Sequence, residues 1–388
     1  MNTHSAGDLA QMQALPLEAK IIMTKQRIRA WYEAWTRFEI FNKKTGKTRF
    51  VTFDTRNQKE PPMKETEYVV SAIPGWVYVS VSGKDSSVLK HIVDSMYSDI
   101  PALFVNTGLE YPELQQFWKD VQKEKYPCFN PDVEIKRPSM RFDEVIKKYG
   151  YPIISKDVSS CVYWGKRGSP TRLMRLNGEL LLKNGKPSMF NCKKWKFMLD
   201  APFEIHSECC KIMKKDPAKR YEKETGRKPI LGLLAEESIK RASAWMKTGC
   251  NAFDKKREQS QPMAFWTEQD VLHYIKKYNV PIPSVYGDIV IDFGSNPQKQ
   301  MNIIDFIGDY GPEDKLKTTG CDRTGCIFCG FGCHLEKAPN RFQRLKETHP
   351  KQYEYCMGGG EFVDGKWQPS KEGLGLGKVL DYIGVKYD

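Results

Sequence analysis

The sequence predicts an α/β protein built on a doubly wound parallel sheet, with an N-terminal helical extension and a Cys-rich C-terminal module. Three observations predict it. An apolar, β-branched run feeds a helix through a Ser/Gly turn at 76–93. Strand-like and helix-like segments then alternate as far as Tyr149. A further apolar run, Pro229-Ile-Leu-Gly-Leu-Leu234, returns after a less regular stretch. Alternation of this kind makes parallel strands whose crossover helices cover both faces.

Taken in order, residues 17–36 read as an amphipathic helix, with Ile21, Ile22, Ile28, Trp31 and Trp35 near helical spacing. Residues 37–75 are polar and carry a hairpin signal between Phe38 and Phe53, an insertion ahead of the first core strand. Trp76 to Ser80 is that strand, and Val88-Leu-Lys-His-Ile-Val93 opens its helix. A second strand, Ala102 to Thr107, runs into a helix ending near Lys123. A third, near Val133 to Ile135, leads to a helix from Arg141 to Tyr149. Residues 151–228 are rich in lysine, with turn signals at Asn177-Gly178 and Asn184-Gly185. A helix spans Glu268 to Tyr278, and 285–345 is rich in Gly and Cys. The expected division is 1–75, 76–290 and 291–388, with no internal repeat.

Composition bounds the function. Forty per cent apolar residues mark a globular chain, and no apolar run approaches the ~20 residues of a membrane span. The N-terminus holds Asp8 and Glu18 and does not read as a signal peptide, so a cytoplasmic location is expected. The formal charge of +13 suits nucleic acid or acidic small molecules, or simply a solvated lysine-rich surface. Eleven cysteines in a reducing compartment point to metal ligands or nucleophiles before disulfides. An oligomer is possible.

The chemistry centres on Ser82-Gly-Lys-Asp-Ser-Ser87. A strand entering a helix through such a turn offers backbone N–H groups and a positive helix end to phosphate. Lys84 adds a mobile cation, and Asp85 can hold Mg²⁺. The plainer reading is a helix cap with polar residues by chance. Gly-x4-Gly-Lys-Ser/Thr is absent, so this is not the loop of γ-phosphate hydrolases. It resembles the pyrophosphatase loop (PP-loop) of adenylating enzymes, Ser-Gly-Gly-Lys-Asp-Ser, with one glycine missing.

Four segments in order resemble the phosphoadenylyl sulfate (PAPS) reductase family of the PP-loop, adenine nucleotide alpha-hydrolase-like superfamily. They are the loop at 82–86, Asn106-Thr-Gly-Leu-Glu-Tyr-Pro-Glu113, Leu234 to Arg241, and Phe265 to Ile275 followed by Val280-Pro-Ile-Pro283. Asn106 stands where the family usually has Asp. The resemblance implies an adenine-nucleotide pocket. Ser82, Gly83, Lys84, Asp85 and Ser86 would grip phosphate or sulfate, and Thr107, Gly108 and Glu110 would line the same crevice. Arg241 would fork onto an anion, or else form a surface ion pair.

Cys209-Cys210 followed by Cys326-Ile-Phe-Cys329 resembles the Cys-Cys…Cys-x-x-Cys set of the family's iron–sulfur branch, which holds a [4Fe–4S] cluster. The gap between the pairs is longer than usual there. Zinc on Cys321, Cys326, Cys329 and Cys333 is the competing reading, and free thiols the third. A reductase of this family also uses a nucleophilic cysteine on a C-terminal tail, and this chain ends without one. Cys333 and Cys356 are the late candidates. Cys333, followed by His334, is the better nucleophile, and Cys356 reads as structural.

Two enzyme readings result. The first binds an adenylyl sulfate-type nucleotide and reduces it to sulfite, with Cys333, Lys84 and Asp85 catalytic and a thioredoxin-like reductant as partner. The alternative adenylates a substrate with ATP and Mg²⁺ and inserts sulfur into tRNA or DNA. A non-enzymatic nucleotide sensor is the third class.

Overall fold

The computed structural model describes residues 4–253, 257–293 and 314–388. Part of the expected Cys-rich segment, 294–313, lies outside them. The chain forms two compact units. One comprises Met1–Val105, Tyr111–Lys136 and Ala218–Thr324; the other comprises Asn106–Glu110, Arg137–Pro217 and Gly325–Asp388.

The first unit opens with helices α1 (Ala6–Gln13) and α2 (Leu17–Ala34). α2 buries Ile21, Thr24, Ile28, Trp31 and Ala34, a stripe that recurs every three or four residues. Ile22 falls off that stripe and is exposed. Three antiparallel strands follow: β1 (Trp35–Asn42), β2 (Lys47–Asp54) and β3 (Glu67–Pro74), in the order β2-β1-β3. The hairpin read from the sequence is therefore present and is extended by a third strand.

The core sheet holds β4 (Val77–Val81), β5 (Ala102–Val105) and β6 (Val133–Lys136), then the strands Lys228–Leu231, Gln259–Ser260 and Asn251–Ala252. Its order is β6-β5-β4, then 228–231, 259–260 and 251–252. All neighbours are parallel except the last pair. Val77, Val79 and Val81 are buried among Val88, Leu89, Ile92, Phe104, Trp118, Ile230 and Trp266. From β4 the chain adds β5 and β6 on one side, then returns to add 228–231 on the other. The loop after β4 thus sits at the topological switch point, where sheets of this kind open a crevice.

Helix α3 runs from Lys84 to Asp94, four residues earlier than the apolar pattern predicts. The reason is polar: the Ser86 and Ser87 hydroxyls bond the Gly83 carbonyl and carry the turn into the helix. Helix α4 (Pro112–Gln122) starts on a proline at its first position, where a missing N–H costs nothing.

The second unit has helices Phe142–Tyr149, Lys156–Lys166, Pro170–Asn177, Arg341–Thr348, Pro350–Met357 and Leu376–Tyr382. A short parallel pair joins Ile153–Ile154 to Gly330–Phe331. A single π-helical turn, Lys211–Lys215, follows Cys209-Cys210 directly. Such turns concentrate at functional sites. No described helix is long and apolar enough to cross a membrane.

Candidate functional site

The switch point carries a cleft of about 230 Å³ lined by Ser82, Gly83, Lys84, Asp85 and Ser86, with Gly232, Glu237, Arg241, Tyr286 and Arg323 around them. The loop is fixed from below, where the Trp118 indole donates to the Ser82 carbonyl at 2.7 Å. Above, the Ser82 N–H donates to the Ser86 hydroxyl at 2.7 Å. The Lys84 N–H donates to the Tyr286 hydroxyl at 3.1 Å, which also bonds the Thr324 hydroxyl at 2.6 Å.

Glycine is required twice. A Cβ on Gly83 would stand 2.1 Å from the Tyr286 Oη and 2.8 Å from the Thr324 Oγ1. A Cβ on Gly232 would meet the Ser86 Cα at 2.9 Å. Gly83→Ala is therefore expected to unseat Tyr286 and to cost about 1–3 kcal/mol, the range of overpacking. A denaturant unfolding midpoint unchanged by this substitution would show that the tyrosine is not held there.

Lys84 is only 4 % exposed. Its Nζ donates to Glu268 Oε1 at 3.0 Å and to the Asp322 carbonyl at 3.1 Å, and lies 3.3 Å from Asp85 Oδ1. Burial acts to lower its pKa, but Asp85 and Glu268 outweigh it and the net shift is upward. The ammonium is therefore charged throughout the neutral range. Asp85 Oδ1 is buried and accepts no hydrogen bond. Across the cleft Glu237 pairs with both Arg241 and Arg323, the latter at 2.7 Å. Burial, and the neighbouring Arg323, push Arg241 down from its usual value. Three cations, Lys84, Arg241 and Arg323, line the cleft with Asp85 and Glu237, while Glu268 pairs with Lys84 from outside the lining, so an anion entering the cleft would compete with these carboxylates for the cations.

The structure brings Ser82, Gly83, Lys84, Asp85, Ser86 and Arg241 together. Arg323, Tyr286, Thr324, Glu237 and Glu268 were missed as site residues. Only Glu237 and Glu268 lay inside segments singled out by the sequence. Thr107, Gly108 and Glu110 belong to the second unit and do not line this cleft. There the Thr107 N–H and hydroxyl donate to the Glu110 carboxylate at 2.8–2.9 Å. Asn106 Oδ1 accepts from the Gly108 N–H at 3.0 Å, an Asx turn that an aspartate would also make.

Cys209, Cys210, Cys326 and Cys329 all belong to the second unit. Each feels the charge of others in the set. Cys210 is held low because the Cys209 thiol donates to it, with Lys156 and Lys214 assisting. Burial, set against the nearby Lys214, pushes Cys326 up to about 12. Among the described residues no three His, Cys, Asp or Glu side chains gather closely enough to hold a metal ion. Cys333 is 1 % exposed, and its thiol donates to the Gly330 carbonyl at 3.0 Å. Burial pushes it up to about 11. The His334 ring packs edge-on against Trp195. Cys356 is fully buried, and burial raises it well above the ordinary thiol value.

A largely parallel α/β sheet with a cation-lined cleft at its switch point is the architecture of the PP-loop class. The phosphoadenosine phosphosulfate reductase domain model matches residues 76–166 and 183–330, and the chain belongs to that family. A solved structure, phosphoadenylyl-sulfate (PAPS) reductase from Candida auris in a phosphate complex, aligns at 14% identity with a TM-score of 0.30, covering 54% of this chain and 75% of that one. No curated protein matches the chain significantly. Family membership supports a sulfonucleotide reductase-like function, with a nucleotide substrate and a thioredoxin-type reductant.

Proposed function

We propose that the chain binds an adenylyl sulfate-type nucleotide in the 82–86 cleft and reduces its sulfate to sulfite through a cysteine thiosulfonate. The observation that carries this reading is the convergence of Lys84, Arg241 and Arg323 on one small cleft at the switch point. A guanidinium forks onto sulfate or phosphate oxygens. Lys84 would exchange its bonds to Glu268 and the Asp322 carbonyl for the anion. Cys333 is the proposed acceptor of the sulfonyl group, which requires that its thiol, 1 % exposed and bonded to the Gly330 carbonyl, first be uncovered. Its thiolate attacks sulfur, the sulfur–oxygen bond to the nucleotide breaks, and the adenylate leaves. A thioredoxin thiolate then attacks the Cys333 sulfur, releases sulfite and leaves a mixed disulfide, which its second thiol resolves. The Cys333 thiol is protonated at neutral pH, so losing that proton is part of the first step.

By ligand type the thiols of Cys209, Cys210, Cys326 and Cys329 would supply the four donors of a [4Fe–4S] cluster, but no three of them gather as a metal site among the described residues, so the cluster reading rests on the spacing of the two pairs. Cys210 favours its thiolate, and Lys156 and Lys214 offset the negative charge.

One observation favours the alternative. Asp85 Oδ1 is buried and accepts no hydrogen bond, with Lys84 Nζ at 3.3 Å, and a carboxylate oxygen so placed would suit Mg²⁺. With ATP in the cleft, the Lys84–Asp85 pair suits adenylation of tRNA or DNA ahead of sulfur insertion. A paired assay on anaerobically purified protein separates the two. Sulfite from labelled adenylyl sulfate with thioredoxin, lost in Cys333→Ser, is the expected result. Pyrophosphate from ATP that depends on nucleic acid, without sulfite, would overturn the reductase reading.

A further inference from the structure

The second unit contains a pair of thiols that the proposed chemistry leaves unused. Cys161 sits on the helix Lys156–Lys166, and Cys192 immediately precedes the 3-10 segment Lys193–Asp200. Their Sγ atoms are 3.6 Å apart, with the Cys192 thiol donating to the Cys161 sulfur. Cys161 is wholly buried and Cys192 is 9 % exposed. A disulfide needs a sulfur–sulfur separation of about 2.05 Å, so closing this pair takes a movement of about 1.5 Å.

The surroundings divide the two thiols into unlike partners. The Arg175 guanidinium is buried beside them, held by Asp157 and by the Phe190 carbonyl at 2.8 Å. Cys161 is pushed down to about 7, first by the Cys192 thiol that donates to it and then by Arg175 and Arg172, against the effect of burial. Cys192 is pushed up because it supplies that proton. A low-pKa thiolate beside a protonated thiol is the arrangement that makes and breaks disulfides. It differs from the solitary, fully buried Cys356 in the same unit.

We propose that Cys161 and Cys192 form an oxidisable dithiol that closes reversibly to a disulfide, with peroxide as the oxidant and a small dithiol as the reductant. The Cys161 thiolate attacks a peroxide oxygen, the O–O bond breaks, hydroxide leaves and Cys161 becomes a sulfenic acid. The Cys192 thiol then attacks that sulfur, the S–S bond forms and water leaves. Two electrons pass from the thiols to one peroxide. Reduction returns both thiols and oxidises the dithiol to its own disulfide. The proposal requires a route for peroxide to the buried pair, and local opening of 179–191, a surface segment whose Leu181, Met189 and Phe190 side chains are exposed, would provide it.

The test uses the full chain, purified anaerobically and pulsed with hydrogen peroxide. Remaining thiols are then alkylated under denaturing conditions and the peptides are mapped. The expected product is a Cys161–Cys192 cross-linked peptide, formed at least about tenfold faster than Cys356 is modified and reversed by dithiothreitol. Cys192→Ser is expected to stop at a sulfenic acid on Cys161, captured by dimedone, and Cys161→Ser to abolish both products. A circular dichroism spectrum matching the parent chain establishes that each variant is folded. Full alkylation of both thiols after the pulse, or cross-links of either to another cysteine, would overturn the proposal.

Discussion

Replacing Lys84 with methionine is expected to weaken ATP or adenylyl sulfate binding by roughly 10- to 150-fold. A hydrogen bond to a charged group contributes about 1.5–3 kcal/mol, and each 1.4 kcal/mol is a factor of ten. Lys84 is the cation on the loop itself, and its ammonium stays charged at neutral pH because Asp85 and Glu268 outweigh its burial. Methionine has nearly the same length and fills the buried stem volume. The substitution removes the charge and leaves the Asp322 carbonyl without its donor. A stability cost of about 1–3 kcal/mol accompanies the affinity loss. Titration calorimetry of the folded variant, checked by an unfolding curve, measures the two effects separately. Unchanged affinity would place the anion away from the 82–86 loop and sink both enzymatic readings at once.

The parts of this cleft that were legible in the sequence are those that are local in the chain. Strand, Ser/Gly turn and helix lie within 77–94, and each announces itself by composition. Even there the helix start was displaced, because hydroxyl bonds to the Gly83 carbonyl, not apolar spacing, set it. Arg323 and Tyr286 lie far along the chain from Lys84. Nothing local marks them as neighbours, and only the packing of Tyr286 and Arg323 against the loop does so. Similarly, the spacing of Ile21 and Ile22 shows a helix, but which of the two faces the core depends on where the sheet lies. The pairing of Cys161 with Cys192 has no short-range signature either. It follows from the packing of the 156–166 and 170–177 helices with the 193–200 segment. The Cys209-Cys210 and Cys326-Ile-Phe-Cys329 spacings were readable as a set, because adjacent and i, i+3 thiols form a pattern in one dimension.

The second large effect is expected from that set. Cys326→Ser should remove most of the bound iron and labile sulfide from protein reconstituted anaerobically, and with them the visible charge-transfer absorption. A serine hydroxyl is a far poorer iron ligand than a thiolate. The substitution also removes the Cys326 sulfur to which Lys214 bonds, leaving the lysine with Glu110 at 3.7 Å and the Cys210 thiolate as its near anions. Cys356→Ser is the control: it alters a thiol of the same unit, more deeply buried than Cys326, that feels none of the four. It should keep the iron while losing some packing. Because metal affinity in such sites is folding energy, the Cys326 variant should also unfold at lower denaturant than the parent, with a deficit of several kcal/mol that vanishes when both are compared without metal. Zinc without sulfide in the parent, lost on the same substitution, would replace the cluster with a structural zinc site. Iron and sulfide that survive the substitution would exclude Cys326 from the ligand set and leave the cysteine spacing without a metal role.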